Sequence, residues 1–193
     1  DRSPSRGLGD VYKRQDTRGS IRIPSALCGL TGFKPTQRRI PRDGAFPLSY
    51  TLDSVGPLAS SVACCAIYDA ILAAEKPASE VCAPKPLPVE GLRLLVPKCF
   101  LFDDIDSEVS TSFERSVATL RAAGATVIER EAPALDRANN LFAGGGFSSP
   151  ESFQIHRPIL AEHRDKYDPR VADRIAAGEG LSLIHISEPT RRT

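Results

Sequence analysis

Residues 91–129, GLRLLVPKCFLFDDIDSEVSTSFERSVATLRAAGATVIE, carry the pattern that decides the fold class. Leu92–Pro97 is a short, mostly apolar run and reads as a buried strand. Asp106 or Ser107 then opens a helix, with Val109, Phe113, Val117 and Leu120 at i, i+4, i+8 and i+11 forming one apolar stripe. Gly124 suits the helix stop, because a glycine takes the left-handed conformation that ends a helix at little steric cost. Ala125–Glu129 reads as a second strand. Strand, helix and strand within about 40 residues make a β-α-β unit, which predicts parallel strands and an α/β fold.

Outward from this unit the signals are weaker. Downstream, Ser148–Gly178 is expected to be mostly helical, broken near Pro158 and at Asp168–Pro169. Gly144, Gly145 and Gly146 lack the G-K-[ST] of a phosphate loop and read as a flexible loop beside a substrate channel. Upstream, Pro77–Glu90 is Pro-rich and reads as a surface linker. Ser60–Lys76 is a helix capped by Ser60 or Ser61, with Val62, Ala66, Ala70 and Ala73 on its apolar face. Gln37–Pro57 reads as an extended loop, and residues 16–36 as tight turns between buried backbone segments.

Composition narrows the function classes. In 193 residues, 25 Lys+Arg against 24 Asp+Glu leave a net charge of +1, which gives no case for a nucleic-acid partner or an acidic tail. Hydrophobic residues at 41% and charged residues at 25% are ordinary for a soluble globular chain. No stretch approaches the roughly 18–20 apolar residues of a membrane span, so no membrane partner is expected. The length suits one domain, and the absence of Met suggests a piece of something longer. Five cysteines form no C-x-x-C pair, and Cys64 and Cys65 are adjacent. Buried, reduced thiols in a cytoplasmic protein are expected, since no apolar leader is visible.

Both termini read as foreign. A legal coding string for Ser3–Gln15, SPSRGLGDVYKRQ, has a reverse complement that translates to LSLIHISEPTRRT, which is Leu181–Thr193. The string resembles a transposon-type sequencing adapter. Residues 1–15 and 181–193 are therefore expected to be adapter-derived and are set aside, leaving 16–180 as the biological stretch. Removing the six basic and three acidic flanking residues leaves 19 basic against 21 acidic.

The chemistry centres on Asp16-Thr17-Arg18-Gly19-Ser20-Ile21-Arg22-Ile23-Pro24. A serine following a small, glycine-containing turn sits where successive backbone N–H groups can share one concavity. Such fixed donors stabilise charge that appears only in a transition state. Ser20 at the edge of this nest is a candidate nucleophile, although a serine hydroxyl attacks poorly unless a base takes its proton. The bland alternative is a turn serine that makes local hydrogen bonds.

Residues 16–36, DTRGSIRIPSALCGLTGFKPT, resemble the hallmark of the amidase signature family, D-[TI]-G-G-S-I-R-x-P-[AS]-x-x-C-G-x-x-G-x-K-P-T. The stretch Thr51–Val62, TLDSVGPLASSV, resembles that family's following block. So do the segments Gly91–Phe100 and His156–Val171. The resemblance spans essentially all of 16–180. It implies part of a large α/β/α sandwich with a mixed central sheet, and hydrolysis of a non-peptide carbon–nitrogen bond in a small amide. The mechanism it implies is a Ser–cis-Ser–Lys triad, with Ser20 as nucleophile. The backbone amides of Thr17, Arg18 and Gly19 would line the oxyanion hole, and Asp16 and Arg22 would support the loop. No metal and no organic cofactor are implied, and the parent is open to homo-oligomer formation. Alternatives are a glutaminase-type A subunit of a tRNA-dependent amidotransferase and a non-catalytic interaction module with the same scaffold.

Two departures from the family pattern matter. Arg18 stands where glycine is usual, which requires a negative φ there. The relay serine and lysine precede the nucleophile in the family, and adapter sequence replaces that region here. The chain is therefore expected to be inactive without its parent and, stripped of neighbouring strands, poorly soluble. Lys34 and Asp53 are read as structural, Asp53 as a turn-former. His156 and His163 make half a zinc site at most and are read as packing or surface residues. Asp103, Asp104, Asp106 and Glu108 lack the bend glycine of a calcium loop and read as a solvated helix start.

Overall fold

The computed structural model describes residues 12–142 and 146–181. The elements in chain order are β1 (Tyr12–Asp16), α1 (Arg22–Leu27), β2 (Thr31–Gly32), β3 (Ser54–Ala59), α2 (Val62–Leu72), β4 (Arg93–Lys98), α3 (Ser107–Ala122), β5 (Thr126–Glu131), α4 (Pro133–Phe142), α5 (Ser148–His163) and α6 (Pro169–Ala176). The described residues fall into two compact units, 12–84 with 146–181, and 85–142.

The first unit is built on an antiparallel sheet of order β1-β3-β2. All six residues of β3 are buried, and it is paired on both sides. Ser54–Pro57 is strand rather than the extended loop expected over Gln37–Pro57, although Gly56 and Pro57 weigh against a strand. Tertiary pairing overrides that: the Pro57 carbonyl accepts the Phe33 amide at 3.1 Å, and Gln15 and Asp16 lie opposite Val55 and Ser54. Residues 12–15, assigned to the adapter flank, form most of the edge strand β1. Ladder bonds come from main-chain groups, so the edge of β3 accepts any extended backbone of matching register.

Helix α2 begins at Ser61, whose hydroxyl accepts the Cys64 amide at 3.2 Å. All five cysteines are free, but only Cys65 is fully buried, and Cys28 and Cys82 are exposed, against the expectation of buried thiols throughout. Burial raises the Cys65 thiol pKa, and its Sγ donates to the Thr31 carbonyl at 3.3 Å.

Helix α5 runs through Pro158 without the expected break. A mid-helix proline loses one main-chain bond, and here packing holds the helix. Phe153 and Leu160 are buried with Ala172 and Ile175 of α6, and Tyr167 packs against the cluster. Burying a side chain of this size contributes about 2 kcal/mol. The break at Asp168–Pro169 does occur: the Asp168 carboxylate accepts the Arg170 amide at 2.9 Å, and Pro169 opens α6.

The second unit contains the expected β-α-β. Strands β4 and β5 are parallel, with Leu94 opposite Val127 and Leu95 opposite Ile128. Asp106 caps α3 by accepting the Glu108 amide at 2.8 Å, and Gly124 ends the turn after α3 with φ +92°. The strands are not buried as expected: Leu95 is 60% exposed. A two-stranded sheet with one helix against it hides only one face. Helix α4 had no sequence signal. Its Asp136 accepts the Phe100 amide at 2.8 Å. With antiparallel and parallel pairings both present, the chain is α/β.

Candidate active site

The site grows out of the strand–turn–helix from β1 to α1. Asp16 ends β1 fully buried, at 0% exposure. Its Oδ1 accepts the Gly19 amide at 2.6 Å, and its Oδ2 accepts the Ile21 amide at 3.2 Å and the Arg22 amide at 3.4 Å. Ile21 and Arg22 open α1, which has no side-chain cap of its own, so Asp16 satisfies those otherwise orphaned donors from the preceding strand. The Arg22 guanidinium completes the clamp, Nε to Oδ2 at 3.1 Å and Nη2 to Oδ1 at 3.2 Å. Burial opposes ionisation of Asp16. The Arg22 hydrogen bonds, the Gly19 and Ile21 amides and the Arg22 charge outweigh it, and the carboxyl titrates below its ordinary 3.8.

Gly19 takes φ +125°, and a Cβ there would lie 2.6 Å from Ile23 Cδ1. Only glycine fits this turn without strain. Arg18, one residue earlier, is not among the positive-φ residues, so it occupies the usual glycine position without left-handed backbone.

Ser20 sits between the clamp and α1, exposed, on a cleft of about 820 Å³ that Thr17 and Arg18 also line. Among the described residues its hydroxyl has no hydrogen-bond partner, and no lysine or second serine is within bonding distance of it. The Gly19 N–H, expected among the oxyanion donors, is directed at Asp16 instead. The buried carboxylate competes for it and wins.

Thr17 is held from the other side. Its hydroxyl donates to Asp53 Oδ1 at 2.6 Å, while Asp53 Oδ2 accepts the Leu48 and Ser49 amides at 2.8 and 2.9 Å. Asp53 thus ties the nucleophile turn to the 48–53 loop. That loop is in turn fastened to α5 by Glu151, which accepts the hydroxyls of Ser49 and Thr51 and, at 3.1 Å, the Thr51 amide. Lys34 Nζ donates to the Pro35 carbonyl at 2.9 Å and to Ser54 Oγ at 3.4 Å, away from Ser20.

His156 packs edge-on against Phe46, and its Nδ1 lies 2.8 Å from the Tyr167 hydroxyl. Burial lowers its pKa. His163 meets Glu162 at 3.9 Å on the surface. Among the described residues no group of three His, Cys, Asp or Glu side chains is placed to hold a metal, and no helix is long and apolar enough to cross a membrane. Of the glycine run 144–146, the first two residues lie outside the described ones. Sequence reasoning missed Glu151 and the cleft residues Ser149, Ser152 and Arg174. They lie on α5 and α6, far along the chain from Ser20, and no local pattern distinguishes them.

Comparison with known proteins places the same segment in context. The family described as Amidase matches residues 15–175. The 2-amino-5-chloromuconic acid deaminase of Comamonas testosteroni is 34% identical over 169 residues, 88% of this chain and 36% of the relative. The indoleacetamide hydrolase of Agrobacterium vitis is 38% identical over 152 residues, 79% of this chain and 30% of the relative. A solved amidase crystal structure superposes with a TM-score of 0.76 at 32% identity, covering 89% of this chain and 37% of that one. The chain thus spans about a third of the length of the relatives it matches.

Proposed function

The chain belongs to the amidase family, and from that premise we propose that it is part of a hydrolase that cleaves the carbon–nitrogen bond of a small amide through an acyl-enzyme on Ser20. The observation that carries this reading is the exposed Ser20 on a clamped strand–turn–helix at the mouth of a cleft. Ser20 Oγ attacks the amide carbon as its proton passes to a base. The tetrahedral adduct collapses, the C–N bond breaks, and the amine leaves carrying that proton. Water then cleaves the ester, releasing the acid and restoring the hydroxyl. The Thr17 and Arg18 amides are assigned as oxyanion donors, the Gly19 amide being committed to Asp16.

Among the described residues no lysine lines the cleft of Ser20. The family resemblance implies a relay serine and a lysine on the segment that precedes the nucleophile, and residues 1–15 read as adapter sequence. Free cysteines support a cytoplasmic setting. The glutaminase-subunit alternative has less support than an amidase resembling the deaminase and hydrolase relatives. The test is amide turnover by the parent, recovered with its upstream coding sequence. Turnover abolished by Ser20→Ala supports the assignment, and turnover that survives the substitution overturns it.

A further inference from the structure

Among the described residues, the cleft beside Ser20 is lined by two arginines and by no Asp or Glu. Arg18 and Arg174 line it together with the hydroxyl-bearing Thr17, Ser149 and Ser152. Several other arginines of the same unit are matched to acids. Arg22 is paired with Asp16 at 3.1 Å, Arg164 with Asp173 at 2.7 Å and Arg170 with Asp168 at 2.9 Å. Among the described residues Arg18 and Arg174 have no ion-pair or hydrogen-bond partner. Both arginines that line the cleft are therefore unmatched.

Their mounting is firm. Arg18 precedes the nucleophile by two residues on the turn fixed by Asp16 and Asp53. Arg174 lies on α6 between Ala172 and Ile175, which are buried in the core against α5. Like charges sharing a cleft repel, and an anion between them relieves that repulsion. A guanidinium offers a planar fork of donors that fits a carboxylate in two-point fashion, and nearby hydroxyls add neutral donors. The cleft volume of about 820 Å³ leaves room for a small molecule that reaches both Ser20 and the arginines.

We propose that this cleft selects amides that also carry a carboxylate, such as half-amides of dicarboxylic acids, with Arg18 and Arg174 holding the carboxylate while the amide carbon meets Ser20. The selectivity rests on the nucleophile assignment above, but it is read separately from it.

The probes are succinamate and its neutral counterpart succinamide, tested with the intact parent enzyme. Calorimetry on the Ser20→Ala form of that enzyme reads binding without turnover: succinamate is expected to bind at least about tenfold more tightly at low salt, because a charged hydrogen-bonded contact is worth that much. High salt should compress the difference. Arg18→Gln and Arg174→Gln should each lower the succinamate-to-succinamide ratio by about tenfold, and Arg174→Lys should restore part of it. The same ratios should appear in kcat/KM. Equal binding of the two probes, no binding of succinamate, or a ratio unmoved in both glutamine variants would overturn the proposal. Fluorophosphonate labelling of the same preparation reads Ser20 independently, so a failed selectivity and a failed nucleophile give different results.

Discussion

Arg22 grips Asp16 at both carboxylate oxygens, at 3.1 and 3.2 Å, while the same carboxylate accepts the amides of Gly19 and Ile21 on either side of Ser20. One buried charge therefore sets the backbone before and after the candidate nucleophile. A hydroxyl is useful in catalysis only if its position is fixed before substrate arrives.

Asp16→Ala removes the acceptor for these amides and leaves them buried without partners. Each such loss costs about 1–3 kcal/mol, and urea melts of the parent should show a destabilisation of about 3 kcal/mol with loss of Ser20 labelling. Unchanged stability would mean the clamp is decorative.

The clamp should also be acid-labile. The Asp16 carboxyl titrates below its ordinary 3.8, so the folded state binds its proton less readily than the unfolded chain. The resulting stability is present above that ordinary value and is lost as pH falls through the lower folded value. Melting temperature against pH should drop steeply there, and Asp16→Asn should flatten the drop.

Gly19→Ala places a methyl group 2.6 Å from Ile23 Cδ1 in a backbone region that alanine avoids. Strain of this kind costs about 1–3 kcal/mol. The variant should label more slowly at Ser20 than wild type while keeping its far-ultraviolet dichroism. Normal labelling would show that the turn tolerates a side chain.

His156 gives a second pH dependence, in a separate window. Burial between Phe46 and Tyr167 lowers its pKa below the ordinary 6.5, so protonation favours the unfolded chain. Its contribution is present above 6.5 and is lost as pH falls through the folded value. A melting profile from neutral to mildly acid pH should show this loss, and His156→Gln should remove it.

The β-α-β of β4, α3 and β5 was legible because strand, helix stripe and stop glycine are all local signals. The nucleophile turn was legible because its residues are contiguous. Strand β3 was hidden by Gly56 and Pro57, whose local preferences are overruled by partners on both edges. Helix α5 continues past Pro158 for a similar reason, since its packing on α6 outweighs one missing hydrogen bond. The sequence also offers Asp165, Asp168 and Asp173 near Arg164, Arg170 and Arg174, with nothing to say which pairs form. Folding settles that two arginines are matched and Arg174 is left on the cleft. Glu151 meets Ser49 and Thr51 across a separation that no periodicity reports. The direction of the Gly19 amide is likewise a tertiary outcome, decided by the buried acceptor next to it.

The central claim is that Ser20 is the group acylated by substrate. The most direct measurement is peptide mass spectrometry of the parent enzyme after brief exposure to a fluorophosphonate. A single adduct is expected on the peptide containing Ser20, absent from Ser20→Ala and slowed by an amide substrate. An adduct on another serine, or none in a preparation that turns over amides, would contradict it.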